Sequence, residues 1–131
     1  MRHNDVTGVV VDVAMQIHQQ LGPGMLESVY RKVMAYELRK RGLRVQEEHP
    51  IPVVWETVRL EIGFRADLVV EGMVIVELKS IEAISPVHKK QLLTYLRLSD
   101  MRVGLLINFG EKLLKTGIHR VVNNLDESQY D

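Results

Sequence analysis

Val6, Val9, Val10, Val13, Ala14, Ile17 and Leu21 recur at helical spacing, which predicts an amphipathic helix over about residues 5–21. Gly22-Pro23-Gly24 stops it. A second stripe, made of Leu26, Val29, Tyr30, Val33, Met34 and Leu38, predicts a helix from about Met25 to Arg41, terminated by Gly42. The pattern then changes to β-rich runs over Leu43–Trp55, Val58–Val70 and Met73–Ser80. Pro50 and Pro52 mark the first run as an edge strand or a bulged one. Ser85-Pro86, an N-cap followed by proline at the first helical position, opens a third helix reaching about Ser99. Arg102–Phe109 reads as a buried strand and Thr116–Val122 as another, while 123–131 reads as a polar, frayed tail. The 131 residues suit one α/β domain, with no repeat, linker or low-complexity segment.

The short connection at Glu71-Gly72 decides which side chains meet across the middle hairpin. A two-residue turn pairing Val70 with Met73 would set Asp67 opposite Val76. A three-residue, bulged connection pairing Val70 with Val74 sets Asp67 opposite Glu77, with Val69, Ile75 and Lys79 on the same face. Gly72 favours the bulged form, which is the expectation here. Leu68, Val70, Val74, Val76 and Leu78 then occupy the other face, so the sheet is expected to be covered on both sides.

Composition narrows the function classes. The chain has no cysteine, which excludes disulfide frameworks and thiolate zinc sites and fits a reducing, cytoplasmic setting. No leader or membrane span is read from the sequence. Seventeen basic and seventeen acidic residues cancel, yet they are unevenly spread. Arg31, Lys32, Arg39, Lys40, Arg41 and Arg44 stand against Glu37 alone, and Lys89, Lys90, Arg97 and Arg102 form a second basic stretch around an acidic middle. Two basic helices flanking an acidic sheet suit a phosphate-bearing partner, although solvated outer helix faces explain such charges equally simply.

Asp67, Glu77 and Lys79 spell D-x9-E-x-K across that hairpin. Two carboxylates beside a lysine can hold a hard divalent cation and steer a water toward a phosphodiester. Surface ion pairing is the plain alternative. Two further segments accompany the triad: Gly24-Met25-Leu26-Glu27-Ser28-Val29-Tyr30, a G-x-x-E-x-x-Y run, and Gln91-Leu92-Leu93-Thr94-Tyr95, a Q-x-x-x-Y run.

In this order the segments resemble the GxxExxY protein family, a branch of the PD-(D/E)XK nuclease superfamily, over nearly the whole chain. Ala66 stands where the superfamily's name has proline. The resemblance implies a restriction-endonuclease-like fold, a mixed central β-sheet flanked by helices on both faces. It implies Asp67 and Glu77 as metal ligands for Mg2+ or Mn2+, Lys79 as the residue positioning the water, and Glu27 as a supporting carboxylate. Gln91 and Tyr95 match the QxxxY element of RecB-like nucleases. The expected activity is metal-dependent cleavage of nucleic acid, DNA or RNA, with a homodimer or protein partner supplying added grip. A catalytically silent binding or interaction module on the same fold is the alternative.

Several of these residues also have simpler explanations. Glu27 lies in a first helical turn, where the helix dipole favours any carboxylate. Tyr30 suits the core as well as the site. His88, Gln91 and Tyr95 share a helical face and could line a cleft together. His18, late in the first helix, is expected to cap or pack. Arg65 shares the face of Asp67 and suits either a phosphate or an ion pair with Glu77. The Gly-Pro-Gly segment lacks the spacing and Lys-Ser/Thr ending of a nucleotide-binding loop.

Overall fold

The computed structural model describes residues 1–125, the side chain at position 62 excepted. Helices α1 (His3–Leu21) and α2 (Glu27–Lys40) follow the two apolar stripes. The turn between them needs glycine, because Gly22 and Gly24 take φ of 68° and 104°, values that a Cβ would strain. Tyr30 holds this turn from inside α2. Its hydroxyl donates to the Gly22 carbonyl at 2.5 Å and accepts from the Met25 amide at 3.2 Å. Its ring stacks on Phe109, centroids 4.2 Å apart, so Tyr30 is a core residue that also clamps the loop.

Five strands follow: β1 (Val45–Trp55), β2 (Val58–Val70), β3 (Val74–Lys79), β4 (Val103–Asn108) and β5 (Ile118–Val122). Helix α3 (Pro86–Ser99) lies between β3 and β4, and a 3-10 turn at Leu114–Gly117 precedes β5. The sheet order is β1-β2-β3-β4-β5. Only β3 and β4 run parallel, joined by the helical crossover such a pair requires. The result is the mixed sheet that the resemblance implies.

One face of the sheet, including Leu68, Val70, Val74, Val76 and Leu78, packs on α1 and α2 through Val10, Val13, Tyr30 and Met34. Val69, Ile75 and Leu106 pack on α3 through Leu92, Tyr95 and Leu96. Both faces are thus covered, and β4 is buried along its whole length. Ala66 joins Val69 in the α3 cluster, so strict alternation along β2 is interrupted at Asp67.

β1 is both an edge strand and a bulged one, with a register shift between Ile51 and Val53. Its pairing with β2 runs out to Trp55 and Val58, whereas β3 pairs with β2 only from Leu68 to Val70. The outer halves of β1 and β2 therefore project as a two-stranded arm. The expected fraying from position 123 needs one correction. Asn123 is buried, its amide donating to the Arg102 carbonyl and its side chain to the Met101 carbonyl; residues 126–131 lie outside the described residues.

Candidate active site

The middle hairpin adopts the bulged connection. Glu71 and Gly72 take φ of 55° and 65°, and the register pairs Val70 with Val74, Val69 with Ile75 and Leu68 with Val76. The next step brings Asp67 across from Glu77, and there side chains replace the backbone ladder. The Asp67 amide donates to Glu77 Oε1 at 3.1 Å, and the Leu78 amide donates to Asp67 Oδ2 at 2.8 Å. Each carboxylate is fixed through one oxygen by the opposite strand. Asp67 Oδ1 and Glu77 Oε2 take no hydrogen bond from an amide, hydroxyl or cationic donor of the described residues, the two carboxyl groups are close enough to share a proton, and neither makes an ion pair with the described residues within 4.0 Å.

The pair is electrostatically uncomfortable. Glu77 is only 8% exposed; burial, then the charge of Asp67, pushes its carboxyl up to about 8, against the hydrogen bond from the Asp67 amide and, more weakly, the charge of Lys79. Tyr95 on α3 is pushed up as well, by burial and then by the charges of Glu77 and Asp67. Its hydroxyl thus feels both carboxylates while its ring packs against Phe64 at 5.0 Å. The Leu78 amide points toward β2, whereas the Lys79 carbonyl accepts from Phe109 on the β4 side. Strand geometry turns the Leu78 carbonyl to the β2 edge, toward Asp67.

Lys79 follows Glu77 by two residues and is partly exposed, with no ion pair to the described residues. The loop entering α2 is tied to this end of β3, since Ser80 Oγ donates to the Met25 carbonyl at 2.6 Å. Glu27 therefore begins its helix near the end of β3, but it is exposed and takes no bond from the described residues. Among those residues no group of three or more His, Asp or Glu is arranged around a common metal position; Asp67 and Glu77 stand as a pair. Gln91 is exposed on α3, one turn before Tyr95. Arg65 is exposed and makes no ion pair with Glu77.

Two histidines have structural roles. His88 Nδ1 accepts from the Ser85 amide at 3.0 Å, so it closes the N-terminus of α3 instead of lining a cleft. His18 Nε2 lies 2.9 Å from the Glu111 carbonyl, in keeping with the packing role expected for it.

Asn108 is the residue that sequence reasoning missed. It is fully buried at the end of β4, in register with Lys79. Its Oδ1 accepts from the Ile81 and Gly110 amides at 3.1 and 3.0 Å, and its Nδ2 donates to the Ile81 carbonyl at 3.0 Å and to Glu111 Oε2 at 3.3 Å. The backbone just beyond Lys79 is held from both sides by this one amide. A polar residue ending an otherwise apolar strand, in Ile107-Asn108-Phe109-Gly110, was the available signal.

The basic face of α2 is largely spoken for. Lys32, Arg39 and Arg31 converge on Glu47 of β1 at 3.1, 3.0 and 3.9 Å. Burial raises the Glu47 carboxyl, but Lys32 and Arg39 more than offset it and hold it below the usual range. Lys40 pairs with Glu37, Arg41 with Asp12 and Arg44 with Glu71. On α3, by contrast, Lys89, Lys90 and Arg97 are exposed and make no ion pair with the described residues. The concavities beside Glu71 and Glu47 exclude Asp67 and Glu77.

A mixed sheet whose middle hairpin splits around two carboxylates, with a lysine beside them and helices on both faces, defines the restriction-endonuclease-like class of fold. A family model described as the PD-(D/E)XK nuclease superfamily matches residues 4–121; the chain belongs to that superfamily. No curated protein and no solved structure matches it.

Proposed function

We propose that this protein, within the GxxExxY branch of its superfamily, is a metal-dependent nuclease that hydrolyses phosphodiester bonds in nucleic acid. One observation carries the reading. Asp67 and Glu77 are each fixed through one oxygen by a backbone amide and crowd together at the split of the hairpin, where no cationic side chain of the described residues pairs with them.

The donor set fits Mg2+ or Mn2+. Both ions take hard oxygen ligands and retain several waters, so two carboxylates, with the Leu78 carbonyl available, suffice without a third acidic residue. A cation also offsets the repulsion that raises Glu77. When bound, the metal supplies Lewis acidity and a more acidic water. Lys79 then orients the attacking water and stabilises charge growing on the phosphate. Tyr95 and Gln91 border the phosphate from α3, and Glu27 supports the water network from α2. Lys89 and Lys90 are better candidates than α2 for gripping the nucleic-acid backbone, because their charges are unpaired among the described residues.

The test is incubation of the purified chain with single- and double-stranded DNA and RNA, with Mg2+ or Mn2+, beside a Lys79→Ala variant. At least one substrate should be cut. The variant should cut it about 100-fold more slowly or worse while still binding metal. Metal binding at Asp67 without cleavage of any substrate would show a fold kept for binding alone. Undiminished cleavage by Lys79→Ala would remove Lys79 from the chemistry.

A further inference from the structure

The two-stranded arm is unusual in what it exposes. Val54, Trp55, Val58 and Leu60 all lie open at its end, Trp55 at 70% and Leu60 at 41%. A hairpin of two strands is marginal in water, and an open strand edge is a template for further pairing. The two edges of this arm differ. On β1, Pro50 and Pro52 lack the amide a new strand needs, and Glu48 at φ 46° distorts the backbone. On β2, no described strand pairs with the side away from β1 between Val58 and Ala66, and that segment contains no proline.

We propose that this edge of β2 pairs antiparallel with the same edge of a second copy, about a two-fold axis at Leu60. Charge complementarity selects a second copy as the partner. With Leu60 opposite its own counterpart, Arg59 of each copy faces Glu61 of the other, two favourable cross-strand pairs from one symmetric contact. Moving the axis to position 61 sets Glu61 against itself. Moving it to position 62 sets Arg59 against Arg65. An axis at position 63 would also pair Glu61 with Arg65 but would run onto Asp67, which leaves the axis at Leu60 as the register that clears the carboxylate pair. Within one chain Arg59 and Glu61 already associate on the same side of the strand, at 2.5 Å, so a second copy extends an existing pair into a four-residue network. Val58 and Leu60 lie on the opposite side, where Leu60 meets its counterpart and Val58 comes opposite position 62. The pairing makes the arm a four-stranded sheet and ends short of Asp67, leaving each carboxylate pair open.

Light scattering on size-exclusion fractions and sedimentation equilibrium, on the full chain at micromolar concentration, test this. The wild type should have twice the 15.0 kDa chain mass. Glu61→Pro, which removes an amide pointing to the open edge and not to β1, should be monomeric with an essentially unchanged circular dichroism spectrum. Arg59→Glu and Glu61→Arg should each weaken the dimer at least tenfold, but mixing the two single variants should produce a heterodimer, and the double swap Arg59→Glu/Glu61→Arg should dimerise again. Because pairing is recovered, loss of folding cannot account for the single-variant result. A monomeric wild type, or single variants that dimerise normally, would overturn the proposal. So would arm variants that lose affinity for a labelled DNA duplex with no change in mass, which would make the arm a nucleic-acid platform.

Discussion

Glu77 concentrates the cost of building this site. A carboxyl that burial and a neighbouring Asp67 hold at about 8 in the folded chain, against 4.5 when free, is protonated in the native state across a range where the unfolded chain has lost its proton. The sign is opposite to that of a salt-bridged acid. The contribution of this group is most favourable below about 4.5, declines as pH rises through the window, and is fully lost above about 8. Glu77→Gln should therefore be more stable than the wild type at pH 8 by on the order of 1–3 kcal/mol in metal-free buffer, with the difference shrinking toward pH 4.5. Urea unfolding across that range reads it directly. A variant equally or less stable at every pH would mean that the repulsion assigned to Glu77 is absent. The sequence showed the identity and spacing of these groups but not their burial, which depends on α3 arriving over the hairpin.

At the scale of elements, the site depends on how the end of β3 is held. Ser80 takes the Met25 carbonyl on one side and Asn108 takes both backbone groups of Ile81 on the other. Gly110 permits that approach, since a Cβ there would lie 2.1 Å from the Ile81 carbonyl oxygen and 2.6 Å from its amide nitrogen. Backbone cannot yield as a flexible side chain can, so Gly110→Ala should destabilise the fold by roughly 2–4 kcal/mol and disturb the strand end that carries Lys79. Gly8→Ala on exposed α1, where nothing lies within 4 Å of the added Cβ, should instead be neutral or gain up to about 1 kcal/mol. Thermal unfolding of the pair distinguishes a packed glycine from a permissive one; equal melting temperatures would refute the contact. The hairpin register was legible because one glycine and the alternation of Val69, Val70, Val74 and Ile75 admit few solutions. The His88 cap was not, since Ser85-Pro86 announces the helix without saying which side chain returns to the Ser85 amide.

Across the whole molecule, the pattern along the chain anticipated the elements and the two covered faces, because apolar periodicity is a local property, while the mixed topology of the sheet came from the resemblance carried by the motifs. Long-range charge pairing was not legible. The cations of α2 look like a phosphate-binding face in sequence, yet Glu47 is far enough away along the chain that only the fold reveals its convergence with Lys32 and Arg39. The same limit hid the role of Asn108, whose partner Ile81 comes from another loop. What remains is a superfamily fold whose α3 carries cations unpaired among the described residues, and whose two crowded carboxylates, under the proposed function, suit a cation. Calorimetric titration of Mn2+ into the intact protein at pH 7, repeated in buffers of different ionisation enthalpy, tests that claim most directly. The account predicts saturable binding accompanied by proton release, because a cation must displace the proton held on Glu77, with both signals lost in Asp67→Asn and Glu77→Gln. Absence of binding, or binding that survives both substitutions, would contradict it.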